Sequence, residues 1–128
     1  MSEYRRSRHG QIYFFTVVTY QRQPILCLEK SKAALKSAIA ETRLTHPFLI
    51  HAWVLLPDHL HCIWELPDGD RDYSKRWGMI KTKFSKQAKT FLTLPEPSAS
   101  RARHRESTIW QRRFWEHTIR DELDFTSH

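Results

Sequence analysis

His51-Ala52-Trp53-Val54-Leu55-Leu56-Pro57-Asp58-His59-Leu60-His61-Cys62-Ile63-Trp64-Glu65-Leu66 is the stretch on which the reading of this chain turns. Two strand-like runs, Phe48–Leu56 and His59–Leu66, meet at Pro57-Asp58, which predicts a hairpin. Side chains alternate faces along a strand, so His59 and His61 share one face and can offer two imidazole nitrogens to a single metal ion. Leu60, Cys62, Trp64 and Leu66 form an apolar stripe on the other face, suited to packing under helices. Spacing alone favours the plainer reading, two histidines that end a half-buried strand, because a metal needs more than two ligands. With Pro57-Asp58 as a two-residue turn, Leu56 faces His59, Val54 faces His61, and His51 lies near Trp64, opposite the histidine pair. Cys62 is out of phase with the pair, so a zinc site of His59, His61 and Cys62 is not expected. Glu65 shares the histidine face but lies too far along the strand for a tight site.

On the N-terminal side, Gln11–Tyr20 is rich in β-branched and aromatic residues and predicts a central strand buried on much of both faces. Glu29 to about Thr45 predicts a helix that buries Leu35, Ala38, Ile39 and Thr42, closed by His46-Pro47. On the C-terminal side, Asp70 or Asp72 is the expected N-cap of a helix starting at Tyr73. Tyr73, Trp77, Ile80, Phe84, Ala88 and Phe91 recur at steps of three and four, as one apolar stripe requires. Thr93–Glu106 reads as a flexible basic loop. Ile109–His117 reads as a further strand or turn-strand, and Thr118–His128 as the beginning of a last helix. The order strand–helix–strand–strand–helix–strand predicts an α+β, ferredoxin-like antiparallel sheet with both helices on one face, in a single domain spanning the chain.

The formal charge of +7 and pI near 9.7, spread over most of the 128 residues, favour a polyanionic partner. No apolar run approaches a membrane span, no signal-peptide core follows the basic N-terminus, and two cysteines make no disulfide framework. A reducing cytoplasm is the expected compartment. Tyr4, Arg5 and Arg6 lie in a basic arm that is either a frayed terminus or a phosphate-contacting segment. Arg76, Lys81 and Lys83 flank the stripe of the second helix, where a solvated face and a DNA contact are both possible readings. Trp110, Arg112 and Arg113 interleave aromatics with cations, as stacking plus phosphate contact requires, although Trp110 and Phe114 could equally be core.

Beyond these patterns, Ala52–Trp64 resembles the HUH segment of the REP-associated tyrosine transposases, bacterial relatives of the single-tyrosine insertion-sequence transposases. The likeness continues through Arg76-Trp77 with Ile80-Lys81 and through Ile109–Asp121, and is poorest over Thr93–Arg105. Tyr4-Arg5-Arg6 and Phe14-Phe15-Thr16-Val17 fit it as well. The resemblance implies a nucleoid-associated bacterial enzyme that cuts and rejoins single-stranded DNA at hairpin-forming repeats. It implies His59 and His61 as ligands of Mg²⁺ or Mn²⁺, and a tyrosine nucleophile that becomes linked to a 5′ phosphate. It puts that tyrosine on the helix after the Trp115–Asp121 block and a further polar ligand about one turn beyond. The sequence ends at Asp124–His128, and Tyr4, Tyr13, Tyr20 and Tyr73 occupy none of the required positions, so the expectation is a metal-ligand pair without its nucleophile. Two functional expectations follow: the nuclease domain of a DNA strand-transferase, or a module that binds a DNA hairpin without cutting it. An RNA-binding domain of similar topology is the weaker third. Neither a membrane nor a small-molecule substrate is expected, and the monomer and the dimer both remain open.

Overall fold

The computed structural model describes residues 11–93, 99, 109–111 and 114–119. Strand β1 (Ile12–Val18) is followed by a short 3-10 turn at Tyr20–Arg22, helix α1 (Glu29–Thr45), strands β2 (Leu49–Leu55) and β3 (His59–Glu65), helix α2 (Tyr73–Ala88) and strand β4 (Trp115–Ile119). The sheet is antiparallel in the order β2-β3-β1-β4, which is the ferredoxin-like α+β arrangement.

Alternation along the two central strands divides the sheet into two unlike faces. Tyr13, Phe15 and Val17 of β1 join Leu60, Cys62 and Trp64 of β3 against Leu35 and Ala38 of α1 and Trp77, Ile80 and Phe84 of α2. Trp64 and Trp77 stack at 4.4 Å with a 17° interplanar angle, and Phe15 meets both rings edge-on. Aromatic pairs in this geometry add to the burial of their large surfaces. Among the described residues, the opposite, outer face carries a small buried apolar cluster of Ile12, Ile63 and Ile119 with Phe14 packed against it. Both faces of β1 are therefore buried over much of their length, as the composition of Gln11–Tyr20 predicted.

Helix α1 has the predicted span, and α2 starts at Tyr73 as predicted, capped by Asp72, whose carboxylate accepts from the Lys75 amide at 3.1 Å. Asp70 does a different job. It pairs with Arg76, which is only 1% exposed and also donates to the carbonyls of His46, Pro47 and Asp72. The Arg76 hydrogen bond, then the Asp72 amide, hold the Asp70 pKa down at about 2. Arg76 is thus an internal clamp tying the helix start to the α1–β2 connection, and not the surface DNA contact the sequence suggested. A planar guanidinium is the one cation able to satisfy so many acceptors at once.

Three further expectations are corrected. β2 contains a bulge at His51, between the Ile50–Trp64 and Ala52–Ile63 pairs, so His51 turns to the outer face and lies 2.8 Å from Glu65. One extra residue reverses the side on which a side chain emerges. The fourth strand runs over Trp115–Ile119 instead of Ile109–His117. Ile109 and Trp110 are both buried, which strict alternation over a single covered face does not allow for neighbours; Trp110 makes one isolated bridge to Thr19 and packs edge-on against Phe84 at 5.3 Å. Trp110 is accordingly core, not a stacking platform. Thr118 and Ile119, read as the start of a helix, complete β4. Most of the Thr93–Glu106 loop and all of residues 120–128 lie outside the described residues. Among the described residues no helix is long and apolar enough to cross a membrane, and both cysteines are free.

Candidate metal centre and nucleic-acid face

His59 and His61 stand side by side at the turn end of the outer face, ring centroids 4.9 Å apart and nearly perpendicular. The register brings them their neighbours: Val54 lies across from His61 on β2, Thr16 on β1, and Val18 lies across from His59. Each imidazole is held by Nδ1. His59 Nδ1 is 2.7 Å from Asp58 Oδ1, and His61 Nδ1 is 2.9 Å from Thr16 Oγ1. A carboxylate only accepts, so neutral His59 carries its proton on Nδ1 and has Nε2 as the lone-pair nitrogen. The Thr16 hydroxyl can donate or accept, and leaves the His61 tautomer open. Phe14 stacks on the His61 ring at 5.5 Å and 16°.

The electrostatics suit a neutral His61 imidazole and an ionised Asp58 carboxylate. Burial, and then the neighbouring His59 charge, push the His61 pKa down. The Asp58 carboxyl is held below its usual range, first by the His59 hydrogen bond and also by Arg22, whose Nε is 2.9 Å from Oδ2. Two imidazoles with anchored Nδ1 atoms are a donor set that a hard-to-intermediate divalent ion takes together with oxygen ligands. No group of three or more His, Cys, Asp and Glu able to hold a metal occurs among the described residues. Glu65, at the far end of the strand, is engaged by His51, with the Ile12–Ile63–Ile119 cluster on the same face of the sheet. Cys62 is buried in the helical core, where desolvation raises its pKa.

The register also produces a row across the whole sheet at the level of His61: Val54, His61, Thr16 and Trp115. Trp115 is 60% exposed and Val54 55%. Trp115, rather than Trp110, is thus the open indole on the histidine face. Alternation back from the buried Ile119 would have phased Trp115 correctly, but only the pairing of β4 with β1 shows that it shares a row with His61.

The remaining anticipated contacts divide by location. Lys81 belongs to α2 in the helical layer, with Nζ 3.3 Å from the Gln111 carbonyl and above the Phe114 ring; burial lowers its pKa to about 8. Lys83, also on α2, pairs with Glu41 of α1. Neither lies beside the histidines in the sheet. Tyr4, Arg5, Arg6, Arg112 and Arg113 are outside the described residues. Tyr13 and Tyr73 meet at 4.8 Å on the helical side, and burial raises the pKa of each phenol.

Several transposases are similar to this chain in sequence or in fold. A REP-associated tyrosine transposase of Escherichia coli (strain K12) is 41% identical over 129 residues, covering 100% of this chain and 68% of its own length. The chain belongs to the REP-associated tyrosine transposases. A provisionally named REP-associated tyrosine transposase of Haemophilus influenzae is 39% identical, with 100% of this chain and 72% of the relative covered. A solved REP-associated tyrosine transposase bound to a REP hairpin superposes with a TM-score of 0.70 at 40% identity, over 100% of this chain and 68% of that one. A provisionally assigned transposase from Deinococcus radiodurans R1 shares the fold alone, with a TM-score of 0.61 at 12% identity over 92% of this chain and 85% of its own. No family model matches the chain. In this chain, sequence reasoning found the histidine pair but passed over Asp58, Arg22, Thr16 and Trp115. Asp58 was signalled by its position beside His59. Arg22 and Thr16 approach only through the fold.

Proposed function

We propose that this chain binds a single-stranded DNA hairpin across its outer sheet face and forms part of the metal-assisted centre that opens a phosphodiester beside it. The observation that carries the reading is the pair of outward imidazoles, each secured through Nδ1, with His61 in a row with an exposed tryptophan. His59 and His61 would hold Mg²⁺ or Mn²⁺ through their other ring nitrogens. Such an ion withdraws charge from the phosphoryl oxygens and orients the diester. Trp115 offers its indole face to a base near the bound phosphate, and the chain's positive charge draws in the strand. Transesterification joins a phenol oxygen to phosphorus, breaks the bond to the 3′ oxygen, and leaves the proton of the phenol with the departing hydroxyl. Tyr13 and Tyr73 lie on the helical face and do not suit that attack.

A second reading, hairpin binding without cleavage, is favoured by that same placement of the tyrosines. A denaturing gel of the chain with labelled single-stranded hairpin DNA and Mn²⁺ separates the two. A shifted, protease-sensitive band identifies strand transfer through a tyrosine of this chain, whereas binding without a band supports the module. Competition among the hairpin, its duplex and the matching RNA tests recognition itself. Equal binding of all three overturns both readings. In calorimetry, His59→Ala abolishes or sharply weakens Mn²⁺ binding if the assignment holds; unchanged Mn²⁺ affinity sinks it.

A further inference from the structure

The Pro57-Asp58 turn is fastened far more firmly than a two-residue hairpin connection requires. The Asp58 carbonyl accepts from the Thr19 amide at 3.0 Å, and the Pro57 carbonyl accepts from the Leu26 amide at 2.9 Å. Thr19 is fully buried, and its Oγ1 lies within hydrogen-bond distance of both the Asp58 and the Gln23 carbonyls. Immediately after Thr19 the backbone passes through Gln21 and Arg22 at φ values of 54° and 52°. Non-glycine residues adopt this left-handed region reluctantly, and strain of this kind clusters at functional sites. The strained turn puts Arg22 Nε 2.9 Å from Asp58 Oδ2, while Asp58 Oδ1 takes His59 Nδ1 at 2.7 Å.

We propose that Asp58 and Arg22 are positioning residues that set the tautomer and aim of His59, with the 3-10 turn built to deliver Arg22. The proposal rests on the reading of His59 as a metal ligand. The Asp58 carboxylate demands the proton on Nδ1 and so makes Nε2 the donor nitrogen, whereas an unrestrained imidazole favours the other tautomer. A carboxylate behind a ligating imidazole also raises its basicity. Arg22 has two effects. It fixes the carboxylate plane, so that the second oxygen points at His59. It also offsets a negative charge that would otherwise repel a phosphodiester approaching the histidines. Among the described residues His61 has no carboxylate partner: its Thr16 hydroxyl is neutral and serves either tautomer. The two ligands are therefore unequal, with His59 preset and His61 adaptable.

The test combines long-range ¹H–¹⁵N spectra of histidine-labelled full chain with Mn²⁺ titration by calorimetry. Wild-type His59 shows the Nδ1-protonated pattern. Asp58→Ala moves it toward the Nε2-protonated pattern and weakens Mn²⁺ binding by about 10–100-fold. Arg22→Ala gives a smaller loss of a few-fold that Arg22→Lys partly restores. If Asp58→Ala does not fold, Asp58→Asn keeps an acceptor for His59 without the ion pair and should match Arg22→Ala. Unchanged tautomer and affinity in Asp58→Ala overturn the proposal, as does weakened binding with an unchanged tautomer. Wild-type Mn²⁺ binding that ignores His59→Ala overturns the metal reading instead, and the tautomer shift then decides the positioning role alone.

Discussion

Two imidazole–carboxylate pairs face the same side of the sheet, and their fates differ. His59 and Asp58 meet at 2.7 Å at the turn, beside a second histidine and in reach of Arg22. His51 and Glu65 meet at 2.8 Å at the opposite end of β3, where their side chains are 16% and 9% exposed. The chemistry of the pairs is alike, and location separates them. At the turn, the imidazole stands at the edge of an open face; at the far end, the same contact fastens a β-bulge and satisfies a buried carboxylate. A motif of residue types is thus no guide to role until burial and neighbours are known.

That contrast can be broken experimentally, beginning with the layer that supports both pairs. Trp77→Ala removes the ring stacked on Trp64 and is expected to cost about 3–5 kcal/mol in denaturant unfolding. A loss under about 1 kcal/mol would show that the aromatic stack does not organise the sheet. Next, His51→Ala should lower stability by about 1–3 kcal/mol, because the buried Glu65 loses a partner, while Mn²⁺ affinity stays at the wild-type value. Weakened Mn²⁺ binding in that variant would erase the distinction between the pairs. Trp115→Ala should leave stability within about 0.5 kcal/mol, since its side chain is largely exposed. It should reduce affinity for a single-stranded hairpin by about 1–3 kcal/mol, measured by fluorescence anisotropy. An unchanged affinity would remove the indole from the DNA face.

A pH-dependent effect concerns Lys81 in the helical layer. Its folded pKa of about 8 lies below the ordinary value, so from about pH 8 to the ordinary lysine value the unfolded chain binds a proton that the folded chain lacks. Stability of the wild type should therefore rise relative to Lys81→Met as pH increases through that window. A difference that is flat with pH would mean the amine is solvated in the folded state.

Much of this organisation was legible in residue order. The period of two through His59–Leu66 separated a histidine face from an apolar face, and the three-and-four spacing from Tyr73 announced α2, because those periods are set by backbone geometry alone. What misled was any inference in which charge or aromaticity stood proxy for exposure. Arg76 looks like a surface cation in a helix, yet acceptors on four residues from two separate segments enclose it. Trp110 and Trp115 are five positions apart in one basic-aromatic block, and one is core while the other is open.

The sequence by itself determined which residues alternate, which helix faces are apolar, where the hairpin turns, and that two imidazoles would share a face. Those are consequences of local periodicity. Only the tertiary structure decided that Thr16 would secure His61, that Arg22 would cross to Asp58, that a bulge would turn His51 toward Glu65, and that Trp115 would complete the row beside the histidines. Each depends on strand order and register, which arise from packing among segments far apart in the chain and have no local signature.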